Sequence, residues 1–237
     1  ATALVTFLPL GLLGGSLLFG PIVDRFGHKA LLLLSCLVVL LGLEGIAFFT
    51  SIPLLQVSII GIGLGGGILN GETNALVADI SNEAEKGSRL SLLGAFYGIG
   101  ALGIPVLLSF LSEYYSFEII LQGTGMVMLI GILFCLGIRF PAPKQPQGFP
   151  IKEGLGLLKE SSLLLLSFIL FFQSGIEGVC NNWTTLYLGQ TTGIPENRAL
   201  IALTCMVAGL TVARLLLVVL FKKIKQETVL RTSLITA

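Results

Sequence analysis

The residues with the most chemistry to offer lie inside otherwise apolar stretches. Gln173, Glu177 and Asn181 recur at i, i+4 and i+8, which puts their side chains on one face of a helix. Amide and carboxylate groups in one stripe give paired donors and acceptors, the chemistry a hydroxyl-rich molecule needs. Trp183 and Tyr187 share another face nearby; an indole there can stack on a sugar ring or anchor a helix at a membrane interface. A second set, Asn70, Glu72 and Asn74, divides: the asparagines share a face, whereas Glu72 points about 200° away from Asn70. An acid near a membrane-helix centre costs about 2.5–3.5 kcal/mol on insertion scales. The nine large apolar residues from Leu163 to Phe172 each return about 0.3–0.6 kcal/mol, enough to insert Glu177.

The elements that position these residues follow from composition. The chain has 237 residues, 54% hydrophobic and 11% charged, with mean hydropathy +0.95. A soluble domain carries about 25% charged residues, so 14 basic and 13 acidic side chains are too few to cover a globule in water. This excludes a soluble enzyme, a nucleic-acid binder and a secreted disulfide scaffold, and it predicts an all-α integral membrane protein. Crossing the hydrocarbon core takes about 20 apolar residues. Seven such runs are expected near 2–22, 30–50, 54–79, 90–112, 117–139, 161–188 and 198–221, with a partial eighth from 228. Leu-rich runs without period-2 alternation are helices, not barrel strands. Cys36, Cys135, Cys180 and Cys205 sit singly in these runs, so neither a metal site nor a cofactor is expected.

Charge gives the orientation. Arg25, Lys29, Lys86, Arg89, Arg139, Lys144, Lys152, Lys159, Lys222, Lys223, Lys225 and Arg231 fall on one side, twelve of the 14 basic residues, with Arg214 near a helix end on that same side. The excess of Lys and Arg makes that side cytoplasmic. The prolines between Phe140 and Glu160 mark a cytoplasmic linker, giving an N-terminal bundle at 1–139, a linker at 140–160 and a second bundle beginning at 161–237. A shift of 198 residues lays Gly209 on Gly11, Ala213 on Gly15 and Lys222-Lys223 on Asp24-Arg25, as two parallel six-helix halves would. Both ends fall in apolar runs, and the first run enters from outside. The chain therefore reads as part of a longer one.

After the first run comes Gly20-Pro21-Ile22-Val23-Asp24-Arg25-Phe26-Gly27-His28-Lys29. Its order, G-x-x-x-D-R-x-G-x-K, on the cytoplasmic side resembles the signature between helices two and three of the major facilitator superfamily. The resemblance implies twelve helices in two pseudo-symmetric bundles with alternating access, of which this chain covers helices two to eight and the start of nine. It also implies that Gly20, Asp24, Arg25, Gly27 and Lys29 belong to a cytoplasmic charge cluster that holds one state and breaks as the bundles rock. Asp79, with Lys86 and Arg89 beyond it, resembles the family's acid-then-basic pattern after helix four. Gly175 to Leu188 and Asn74 to Pro105 look like helices of the fucose/glucose–galactose permease group. What that group implies is uptake of a monosaccharide through the bilayer with a coupling ion, usually a proton.

On that mapping Gln173, Glu177, Asn181, Asn70, Asn74 and Trp183 are the candidate solute-binding residues, and Glu72 and Glu177 the candidate proton carriers. The permease group often places its acid where Asn70 stands. Either Glu72 reaches the cavity through irregular helix around Gly71, or coupling has moved or been lost. Glu44 reads as a rim residue. Two matches to G-x-G-x-x-G, at Gly61 and Gly98, follow no strand and signal close helix approach instead of a dinucleotide. Ser16 has His28 as its one histidine, which the reading places in the cytoplasmic loop, so serine-protease chemistry is excluded. The expected function is secondary transport of a small solute in a bacterial inner membrane. An exporter of drugs or other small molecules, or a non-transporting membrane receptor, is the alternative.

Overall fold

The computed structural model describes residues 6–143, 156, 159–221, 223–224 and 226–236. Residues 1–5 and most of the proline-rich linker, with Lys144 and Lys152, lie outside the described residues, as do Lys222 and Lys225. Among the described residues all regular structure is helical: α1 (Phe7–Phe48), α2 (Ile52–Ile80), α3 (Glu83–Leu111), α4 (Phe117–Gly137), α5 (Ser161–Thr192), α6 (Glu196–Leu220) and α7 (Gln226–Thr236). The all-α membrane fold class is thus as expected. Five of these helices are long and apolar enough to cross a bilayer.

At 42 residues, α1 would run roughly 63 Å at ~1.5 Å per residue, twice the hydrocarbon thickness of about 30 Å. It contains the first two apolar runs, and they part at Gly27, whose φ of 81° and ψ of 165° are not helical. The contacts show that the chain reverses there. Going along the first arm, Gly11 meets Gly63 and Leu64, and Gly15 meets Leu64 and Ile68, so this arm runs parallel to α2. Going along the second, Ser35 and Val39 meet Gly65 before Gly42 and Gly45 meet Ser58, so this arm runs antiparallel. One helix, α2, is clasped by both.

The glycine run of α2 makes that clasp possible. A Cβ on Gly63 would stand 3.0 Å from Gly11 Cα and from the Leu12 nitrogen, and one on Gly65 would stand 2.8 Å from the Ser35 carbonyl oxygen. Two residues apart on a helix, these glycines face opposite neighbours, so each serves a different arm. Close approach without hydrophobic driving force is how small residues join helices in lipid. The match to a nucleotide-binding fingerprint is therefore a packing device.

The chain divides into two compact units, Ala1–Leu90 with Pro105–Phe149, and Ser91–Ile104 with Pro150–Ala237. In the first, Val23, Leu31 and Ile68 form a small buried core with Phe19, Ile22 and Leu64 around it. Buried Ser35 and Ser58 hydroxyls donate to their own helix carbonyls at Leu32 and Leu54, which spares a polar orphan. The second arm of α1 also packs on α4, where Leu40 and Glu44 lie against Gly125. In the second unit, α5 ends at Gly193 in the left-handed conformation, φ 66°, with Pro195 capping α6; glycine just past one helix and proline just before the next is a regular stop and start. Large apolar side chains stay exposed along every long helix, as a lipid-facing surface requires.

Candidate functional site

The turn at Gly27 sets His28 at the start of the second arm, where its ring enters α2. Glu72 and Asp79 are seven residues apart on α2, close to two full turns, so both carboxyls lie on one face. His28 Nδ1 sits 2.7 Å from Glu72 Oε1, and Nε2 sits 3.1 Å from Asp79 Oδ2. His28 is 4% exposed and Glu72 0%. His28, read from the sequence as part of the cytoplasmic loop, thus stands beside the Gly27 turn but within the helical second arm, and its ring is buried against two acids instead of lying in an open loop.

The proton count at this site is constrained. A neutral imidazole offers one donor and one acceptor, while two ionised carboxylates need two donors. Either the ring is an imidazolium or one carboxyl holds a proton; every arrangement that keeps both contacts contains at least two protons. Glu72 Oε2 is buried and makes no hydrogen bond, an omission that costs about 1–3 kcal/mol for a buried acceptor. Beyond the ring opens a cavity of about 170 Å3 lined by Gly20, Asp24, His28, Asp79, Ala75 and Pro143, among others.

The structure brings Gly20, Asp24 and Asp79 together around this cavity and directs the other signature residues elsewhere. The Arg25 guanidinium lies over the Phe26 ring at 5.3 Å. Lys29 Nζ donates to the Leu136 and Ile138 carbonyls at 2.8 and 3.2 Å, a cation on a helix C-terminus. Lys86 pairs with Glu83 at 3.3 Å and Arg89 with Glu85 at 2.6 Å along the first turns of α3, and such exposed local pairs contribute little.

Asn70 and Asn74 lie on an exposed face of α2, with Asn74 Nδ2 donating to the Asn70 carbonyl at 2.7 Å. The helix runs unbroken through Gly71, against which the Phe19 ring packs. Glu72 therefore stays about 200° from Asn70, turned toward α1, and does not join the asparagines. In the second unit Gln173 Nε2 donates to Glu177 Oε2 at 3.1 Å, and Asn181 follows one turn along α5. Trp183 is 59% exposed on the same helix.

Two features escape a reading by sequence. The His28 cluster is one; a histidine beside a turn glycine and two acids at i, i+7 were its available signals. Arg214 is the other. It lies within α6, its Nη1 donating to the Gly94 carbonyl at 3.1 Å and its guanidinium 5.9 Å from the Tyr97 ring centroid. Gly94 has no side chain to block that approach, since a Cβ there would meet Arg214 Cδ at 3.0 Å.

Comparison with known proteins agrees with this geometry. The family model described as Major Facilitator Superfamily matches residues 1–237. An MFS-type transporter of Bacillus subtilis, YfkL, is 26% identical over 214 residues, covering 86% of this chain and 53% of the relative. The multidrug resistance protein MdtH of Aeromonas hydrophila is 30% identical over 163 residues, covering 68% of this chain and 39% of the relative. The chain spans about half the length of the first and less of the second. A solved structure, the peptide transporter POT in complex with alafosfalin, superposes with a TM-score of 0.53 at 15% identity, covering 83% of this chain and 45% of that one; that likeness shows the fold alone. With a family match over residues 1–237 and a set of apolar helices long enough to cross a bilayer, the chain is a multi-pass integral membrane protein that belongs to the Major Facilitator Superfamily.

Proposed function

We propose that the protein is a secondary active transporter that moves a small hydrophilic solute, a monosaccharide of the fucose, glucose or galactose type, by alternating access with proton symport across a bacterial inner membrane. In this reading residues 1–139 belong to the N-terminal bundle, 140–160 to a cytoplasmic linker and 161–237 to the start of the second bundle. The observation that carries it is the hydrogen-bonded Gln173–Glu177 pair in an apolar helix. A carboxylate and an amide placed there offer acceptors and donors to sugar hydroxyls, and an ionisable group in a membrane helix marks a solute or ion path by default. Asn181 extends the stripe, Trp183 supplies an aromatic face, and Asn70 and Asn74 supply further amides. Glu72 or Glu177 carries the coupling proton.

The similarity to MdtH supports a second reading, export of drugs or other small molecules. Radiolabelled monosaccharide uptake into proteoliposomes of the full-length protein, with and without an imposed pH gradient, separates the two. Gradient-driven uptake is expected. No uptake of any hexose under either condition would remove the sugar reading and favour the exporter or a non-transporting receptor.

A further inference from the structure

We propose that His28 is a proton relay joining the buried carboxyl of Glu72 to the cavity beside Asp24 and Asp79. The inference deepens the proposed function and rests on its proton coupling. Four observations carry it. The ring bridges a fully buried acid and a second acid at the cavity wall, at 2.7 and 3.1 Å. Glu72 is 0% exposed, so the ring is its polar contact. Its Oε2 makes no hydrogen bond, which leaves Oε1 and the ring as the polar link of the carboxyl. The cavity of about 170 Å3 exceeds the ~30 Å3 share of a water molecule several-fold, so water can deliver protons to Asp79, which faces Nε2.

A proton that Asp79 has taken from cavity water leaves its carboxyl and forms a bond to Nε2. The Nδ1–H bond then breaks and its proton passes to Glu72 Oε1. The ring ends neutral in the other tautomer and the carboxyl ends neutral; the reverse sequence returns the proton to Asp79 and the ring to its first tautomer. The titratable groups around the ring are Asp24 from α1 and Glu72 and Asp79 from α2. Lys29, next to it in the chain, is committed to the carbonyls of Leu136 and Ile138 at the C-terminal end of α4, and Arg25 lies on Phe26. A guanidinium in place of His28 could hold both acids as a fixed cation, but it cannot give up a proton and so cannot pass one.

The test uses that difference. In the full-length protein in liposomes, without solute, infrared difference spectra after a pH step report the protonated carboxyl of Glu72, assigned by its loss in Glu72→Gln. The parent is expected to show this band rising, and His28→Arg to slow the rise by about 100-fold, the low end of what a positioned acid-base group contributes. Asp79→Asn, which leaves the ring in place, is the second variant and slows it too. No Glu72 band in the parent, or parental kinetics in folded His28→Arg and Asp79→Asn, would overturn the relay. Solute-driven proton uptake is measured separately with a pH-sensitive dye. Its absence from the parent would remove the coupling reading, while the solute-free kinetics still decide the relay.

Discussion

The two glycines with positive φ make a matched pair of tests for what positions the site. Gly27 has φ 81° and ψ 165°; Gly193 has φ 66° and ψ 16°. The second lies in the left-handed helical well, which asparagine enters readily. The first lies in a region that is essentially glycine-only. Space is not the obstacle at Gly27, because a Cβ would meet nothing nearer than Pro143 Cδ at 3.5 Å, an ordinary contact. The cost is therefore backbone strain, about 1–3 kcal/mol, less the ~0.4–1 kcal/mol returned by a stiffer unfolded chain. Gly27→Ala and Gly27→Asn should each destabilise the protein by about 1–2 kcal/mol. At Gly193 the asparagine variant should be distinctly milder than the alanine variant. Reversible unfolding in mixed micelles with increasing SDS measures all four. A Gly27→Asn protein as stable as the parent would refute the reasoning, since a Gly27 held by strain cannot be rescued by a residue that tolerates only the left-handed helix. So would a milder Asn than Ala at Gly27 together with equal effects at Gly193.

Other substitutions follow from named contacts. Gly63→Val should break the clasp of α2 on the first arm, because its Cβ alone would press on backbone at 3.0 Å; a loss of about 3 kcal/mol or more is expected in the same titration. Ala at Lys86 or Arg89, whose partners are exposed, should cost less than about 0.5 kcal/mol, and a larger loss would mean that these cations hold something besides Glu83 and Glu85. Arg214→Lys should cost about 1 kcal/mol, because an ammonium cannot both reach Gly94 and lie over Tyr97 as a planar guanidinium does. Glu177→Gln should keep the bond to Gln173 while weakening solute binding, read as a raised half-saturation concentration in the uptake assay. Unchanged binding would take Glu177 out of the solute path.

How much of this was legible in the sequence depends on the reach of each interaction. The helices were legible because hydropathy is local: among the described residues the seven expected runs and the stub after 228 match α1 to α7 to within a few residues, apart from the start of α3, which begins about seven residues earlier than expected, with the first two runs both in α1. The opposed faces of Asn70 and Glu72 followed from 100° per residue, and α2 keeps that phase through Gly71. The partner of Glu72 did not follow, because His28 is 44 residues away and becomes a core residue only when the chain folds back at Gly27. Arg214 has the same difficulty at larger range; Gly94 lies 120 residues away, and a cation near a helix end looks like one more charge in a basic loop. The glycine run was recognised as a packing surface, yet only the structure shows that alternate glycines serve opposite arms.

The two candidate acids, Glu72 and Glu177, differ in a way that bears on which does what. Glu177 is partly exposed and its partner is a neutral amide, which can reorient to give or accept a hydrogen bond without changing charge. That suits a group that must release one set of hydroxyls and receive another. Glu72 is sealed between α1 and α2, and its partner is a ring whose own protonation decides which hydrogen bonds survive. Any change in proton number there alters the net charge inside a low-dielectric contact, where it is felt far more strongly than at a surface. The arms it acts on meet α2 through glycines, with backbone against backbone and little side-chain volume to absorb a shift. A charge change at Glu72 is thus transmitted to the helix contact itself. Under the proposed function this assigns the proton to Glu72 and the solute to Glu177, and Glu177→Gln should then leave proton-driven uptake intact at saturating solute, whereas Glu72→Gln should abolish its response to the pH gradient.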